Sequence, residues 1–139
     1  MVLTEGMFGM VSKGQEGLEL EVMRMLLAGE NPVLEKLRTQ FEHVQSITRE
    51  MTGVGFYANF KLHENVEAIT SAHSLRFGDV QANIEGLEHG AGFVLHVLEG
   101  YLSCLEGYSY DEPWPSEFNN FSITYIGGNV RDLSDLGVK

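Results

Sequence analysis

The sequence has little from which to build catalytic chemistry. Cys104 is its one cysteine, so no disulfide closes within the chain, and a cytoplasmic, reducing setting is the expectation. Nine lysines and arginines face twenty aspartates and glutamates, for a formal charge of −11. Nucleic-acid binding needs a basic stripe that displaces counterions from phosphates, so this balance argues against a nucleic-acid partner and against an anionic membrane surface. The longest apolar stretches, residues 22–28 and 93–98, are too short or too interrupted to span a bilayer. The opening MVLTEGMFGMVSKG has neither the charged start nor the continuous apolar run of a secretory signal. No phosphate loop, dinucleotide fingerprint, HExxH or HxxxH pair, or nucleophile elbow is present, and the five histidines are scattered. No catalytic residue, metal site or cofactor is assigned on this basis.

What the chain does have is enough apolar sequence for one core. Its hydrophobic fraction is 43% and it carries eight Phe, five Tyr and one Trp. The acidity is uneven. Residues 1–69 hold ten acids and six bases, whereas residues 70–139 hold ten acids and three bases. The plainer reading is solubility; the functional one is that the C-terminal half steers a basic partner towards itself.

Periodicity divides the chain into a loose N-terminal segment (1–14), one α+β domain (15–127) and a polar C-terminal tail (128–139). Residues 16–29 place Leu18, Val22, Met25 and Leu26 on one helical stripe. Asn31-Pro32 then supplies an N-cap and a first-turn proline for a second helix ending near residue 43. From residue 46 the period becomes two. Strands are expected over 46–51, 54–62, 79–85, 93–98, 101–108 and 121–126, with 63–74 a loop and 86–92 a glycine-rich turn. The prolines at 113 and 115 bar a central strand there. Helices first and strands afterwards predict two N-terminal helices packed on a mostly antiparallel sheet of about five or six strands.

Two places carry candidate function. The first is the hairpin around Glu99-Gly100. Glutamate is a poor residue for positive φ, so a three-residue loop is expected, with Gly100 in the left-handed position and Val97 opposite Tyr101. His96, Leu102, Cys104 and Glu106 then share one face, while Phe93, Leu95, Val97, Tyr101 and Leu105 form the core face. A two-residue loop would instead set His96 beside Ser103. A thiol, an imidazole and a carboxylate on one sheet face suit a ligand site, a nucleophile or a metal foothold. The plainer reading makes His96 an outward residue and Cys104 a small hydrophobe.

The second place is residues 108–115, where two tyrosines, the single tryptophan and two prolines sit among acids. Aromatics on a rigid loop lose little entropy on docking, and they dominate interface hot spots. Tyr108, Tyr110, Asp111, Glu112 and Trp114 are therefore the candidate partner-binding residues; the plainer reading has Trp114 closing the core.

Gly90-Ala91-Gly92-Phe93, Leu98-Glu99-Gly100, Leu105-Glu106-Gly107-Tyr108, Tyr110-Asp111-Glu112-Pro113-Trp114-Pro115 and Phe121-Ser122-Ile123-Thr124-Tyr125 carry a resemblance. Together they resemble a group of small bacterial cytosolic proteins that share a hairpin followed by an LEGY-x-Y-x-E-x-WP-like segment. The resemblance spans roughly residues 50–126 and implies a fold more than a role. Some proteins of this size and acidity serve as immunity partners of secreted bacterial toxins. The resulting expectation is an acidic protein-binding domain of immunity or antitoxin type that meets a basic partner. The alternative is a small-molecule-binding domain or enzyme using His96, Cys104 and Glu106, and a homodimer through an edge strand is compatible with either.

Overall fold

Asn31 fixes the boundary between the first two elements. In the computed structural model, which describes residues 13–69, 74–128 and 131, its backbone is extended (φ −152°, ψ 131°). Its side-chain oxygen accepts the N–H groups of Val33 (2.8 Å) and Leu34 (3.2 Å), two donors that a helix start leaves without intrahelical partners. α1 spans Lys13–Leu26 and α2 spans Pro32–Glu42. Lys13 and Gly14, read from the sequence as part of a loose N-terminal segment, are thus helical; the rest of that segment lies outside the described residues.

Seven strands follow among the described residues: β1 (Val44–Met51), β2 (Gly55–Leu62), β3 (Leu75–Phe77), β4 (Val80–Ile84), β5 (Ala91–Leu98), β6 (Tyr101–Ser109) and β7 (Phe121–Tyr125). Every pairing is antiparallel, in the order β1-β2-β6-β5-β4-β7, with β3 also on β5. The chain is therefore α+β, with seven strands where five or six were expected. The extra strand is β3. Leu75 faces Val97 and Ala82 faces Ala91, so β3 and β4 run along the same edge of β5 with a break at Gly78. A Cβ at Gly78 would lie 1.9 Å from the Phe93 carbonyl oxygen, so only glycine allows the two backbones so close.

One face of the sheet and the apolar stripes of both helices form a single core, with Leu18, Leu26, Leu34, Leu37, Phe56, Phe93, Leu95 and Leu105 fully buried. No described helix is long and apolar enough to cross a membrane. From the tail, Arg131 binds both Asp79 carboxylate oxygens (2.8 and 3.1 Å) and the Leu26 and Ala28 carbonyls at the end of α1. The rest of the tail beyond Gly128 lies outside the described residues.

The hairpin overturns the expected three-residue loop. Leu98 faces Tyr101 across a two-residue turn in which Glu99 (φ 52°) and Gly100 (φ 90°) are both left-handed, the arrangement of a type I′ turn. The twist match of that turn and its anchoring outweigh the local dislike of glutamate for positive φ. The Gly100 carbonyl accepts from Ile69 N–H (2.9 Å) and from the buried Gln40 amide (3.0 Å), whose oxygen accepts from Leu102 N–H (2.8 Å). Ser103 is then an extra residue in β6: His96 faces Cys104 but Val97 faces Leu102. The bulge exchanges two expected positions. Leu102 is core, and Tyr101 is 42% exposed.

Candidate functional site

Three connections meet at one end of the sheet: the β1–β2 turn (52–54), the β4–β5 connection (85–90) and the β6–β7 connection (110–120). Carboxylates fasten them together. Glu112 accepts the backbone N–H groups of Glu88 (2.7 Å) and His89 (2.8 Å), while Glu85 accepts those of Asn119 (2.8 Å) and Asn120 (3.3 Å). Each loop thus satisfies donors of the other. The two donors to Glu112 hold its carboxyl below the usual carboxylate range. Trp114 N–H reaches the Gly53 carbonyl and Ser109 N–H the Val54 carbonyl, both at 2.8 Å, which binds the third connection in.

The surface made this way is acidic and partly apolar. From Phe77 to Val130 the chain contains no lysine or arginine, and Glu85, Glu88, Asp111, Glu112 and Glu117 all fall in the two longer connections. Met51 and Val54, at the β1–β2 turn, and Tyr110, in the β6–β7 connection, are exposed, Tyr110 at 52%. Tyr108 stands edge-on to Tyr110 with ring centroids 5.8 Å apart. It also lies over Gly92, where a Cβ would come within 2.5 Å of the phenol oxygen. Burial, then the neighbouring Tyr110, pushes the Tyr108 phenol pKa up.

Trp114 does not belong to this surface. Only 8% exposed, its ring meets Phe56 edge-on at 5.3 Å. Its Nε1–H donates to Gln15 (2.9 Å), Gln15 donates to Glu19 (2.7 Å), and Glu19 takes Arg49 through Nε and Nη2. A buried polar chain runs from loop to strand, and the expected partner-binding role of Trp114 gives way to a structural one. Glu112 likewise spends its carboxylate on backbone. Of the five expected residues, Tyr110 and Asp111 are exposed, and Tyr108 is half-buried against Gly92 and Tyr110.

On the open face, cross-strand register brings His96, Cys104 and Glu106 together as the sequence suggested, because the Ser103 bulge restores their parity. One rung carries Arg76, His96, Cys104, Asn59 and Thr48; the next carries Val94, Glu106, Tyr57 and Glu50. Glu106 joins the rungs, bonding His96 Nε2 at 3.0 Å and accepting from Tyr57 Oη at 3.3 Å. The Glu106 charge pushes the Tyr57 phenol pKa up, and burial, followed by Glu106 and Glu50, raises that of the Cys104 thiol. A thiol held in its protonated form is no activated nucleophile. No three His, Cys, Asp or Glu side chains converge to hold a metal among the described residues.

Sequence reasoning missed Tyr57, whose only signal was its polar-side place in β2, and the pairing of the 85–90 and 110–120 loops. The sequence signal for this surface was the acid excess of residues 70–139, which did not say which loops would carry it. Comparison of the chain with protein-family models, curated proteins and solved structures finds no match.

Proposed function

We propose that the protein is an interaction module, of immunity or antitoxin type, that binds a basic protein partner through the acidic end of its sheet. The observation that carries this is the set of five carboxylates on two connections fastened to each other at one end of the sheet, unrelieved by any lysine or arginine in their stretch of chain, with the exposed Tyr110 on one of them. In such a surface the carboxylates set the encounter rate, and an exposed aromatic such as Tyr110 sets dissociation. The carboxylate-to-backbone bonds between the loops hold this surface in place before binding, which lowers the ordering cost. The lone Cys104 supports a cytoplasmic encounter.

The test is affinity co-purification from the source cells followed by binding kinetics with the recovered partner. Tyr110→Ala weakens binding about tenfold or more through a faster off-rate, and Glu88→Lys with Glu117→Lys slows association and flattens its salt dependence. A partner that binds these variants as it binds the parent, or whose association ignores salt, refutes the reading. A second reading, a small-molecule site on the open face, rests on Glu106 bridging His96 and Tyr57 beside a shallow groove of about 410 Å³.

A further inference from the structure

An apolar groove lies on the core-facing side of β1 and β2. Leu20 and Met23 of α1, Phe41 of α2, and Ile47 and Phe60 of the sheet form its walls, around a volume of about 380 Å³. That is within the range of small-molecule sites, roughly 300–1,000 Å³. The groove lies where the edge strand β1 and its neighbour β2 meet both helices, with Leu105 of β6 at its floor. Phe41 meets Phe60 edge-on at 5.9 Å, and Leu20, at 37% exposure, forms an open lip.

The polar lining identifies the occupant. Arg49 lines the groove with its side chain only 5% exposed, and Glu19 holds it through Nε and Nη2. The guanidinium therefore has its charge already matched, while Nη1 carries two further N–H donors. At the mouth, Lys13 and Glu16 are of opposite sign, so the lining is close to neutral. A carboxylate would add charge to a neutral groove in a protein of net charge −11, and an ammonium at the inner end would meet the cationic guanidinium and Glu19 oxygens already taken by Arg49 and Gln15. What fits is an uncharged body with an acceptor at one end.

We infer that this groove is a binding site for a neutral, mainly apolar small molecule bearing a carbonyl-type acceptor, its apolar part against Leu20, Met23, Phe41 and Phe60 and its acceptor on Arg49. The groove shares no lining residue with the proposed docking surface, and the inference does not rest on that reading. The Trp114–Gln15–Glu19–Arg49 chain makes the single tryptophan a reporter for it.

The test titrates the full chain with nonan-2-one, nonanoate and nonylammonium, reading Trp114 emission and the NMR shifts of the Leu20 and Met23 methyl groups. Saturable binding of the ketone is expected, with the two ions at least tenfold weaker. Leu20→Glu, a change at an exposed lip that circular dichroism will show to be folded, weakens the ketone at least tenfold. No saturable ketone binding, or nonanoate binding as well as the ketone, overturns the inference. So does a Leu20→Glu variant that halves the mass seen by light scattering while the ketone has no effect on the parent, since a second copy would then be what covers the groove.

Discussion

Arg49→Met would measure what the buried ion pair contributes. Methionine keeps most of the arginine stem, so the perturbation removes charge and donors with little loss of volume. The partners are 5% and 7% exposed, and once the guanidinium is gone Glu19 retains only the Gln15 amide at 2.7 Å. Breaking one side of such a pair costs about 3–5 kcal/mol, because the surviving charge stays out of water without compensation. Against a total stability of about 5–15 kcal/mol that is a large fraction. Adding Glu19→Gln removes the stranded charge and leaves two amides able to bond each other, so the double variant recovers about 2–3 kcal/mol of the loss. Urea unfolding followed by Trp114 emission is the assay, with m unchanged across the series. A single variant that loses less than about 1 kcal/mol, or a double variant no more stable than the single, would sink the argument that the pair is desolvated and mutually dependent.

Two further outcomes test the loops. Glu99→Asn replaces a residue held at φ 52° with one that tolerates the left-handed region, and is expected to stabilise by about 0.5–1 kcal/mol, raising Tm by a few degrees; a lower Tm would contradict the type I′ turn. The lowered Glu112 carboxyl stabilises the fold fully above its ordinary value of 4.5, and that contribution is lost as pH falls through the lower folded value. The Tm gap between the parent and Glu112→Gln therefore narrows as pH falls from about 6 to below 4, and a constant gap in thermal melts would show the backbone bonds to be inconsequential.

Sequence reading succeeded where the determinant is local. Asn31-Pro32 names its own helix start, and strict alternation in residues 80–84 places Val80, Ala82 and Ile84 inside. It failed where pairing partners decide. Leu75-Arg76-Phe77 has too few residues to show a period, and it is a strand only because β5 offers it Val97, His96 and Leu95. Trp114 is buried by Gln15, ninety-nine positions earlier, and by Phe56. No local rule distinguishes that fate from exposure on a proline-rich loop.

The hairpin shows how a wrong turn still led to the right face. With Glu99-Gly100 as a two-residue turn and an unbroken ladder, Cys104 would face Leu95 and Glu106 would face Phe93, on the core side, while Leu105 turned out to solvent. Burying the Glu106 carboxylate there without a partner would cost several kcal/mol, and exposing Leu105 would forfeit about 1.5–3 kcal/mol of burial. Unpairing Ser103 gives up one ladder position, on the order of 1 kcal/mol, and avoids both losses. The apolar pattern of Phe93, Leu95, Val97, Leu102 and Leu105 therefore demands a bulge once the turn is tight. Period-two reading that starts from the strand interior reaches the correct face for His96, Cys104 and Glu106, whereas counting outward from the turn does not.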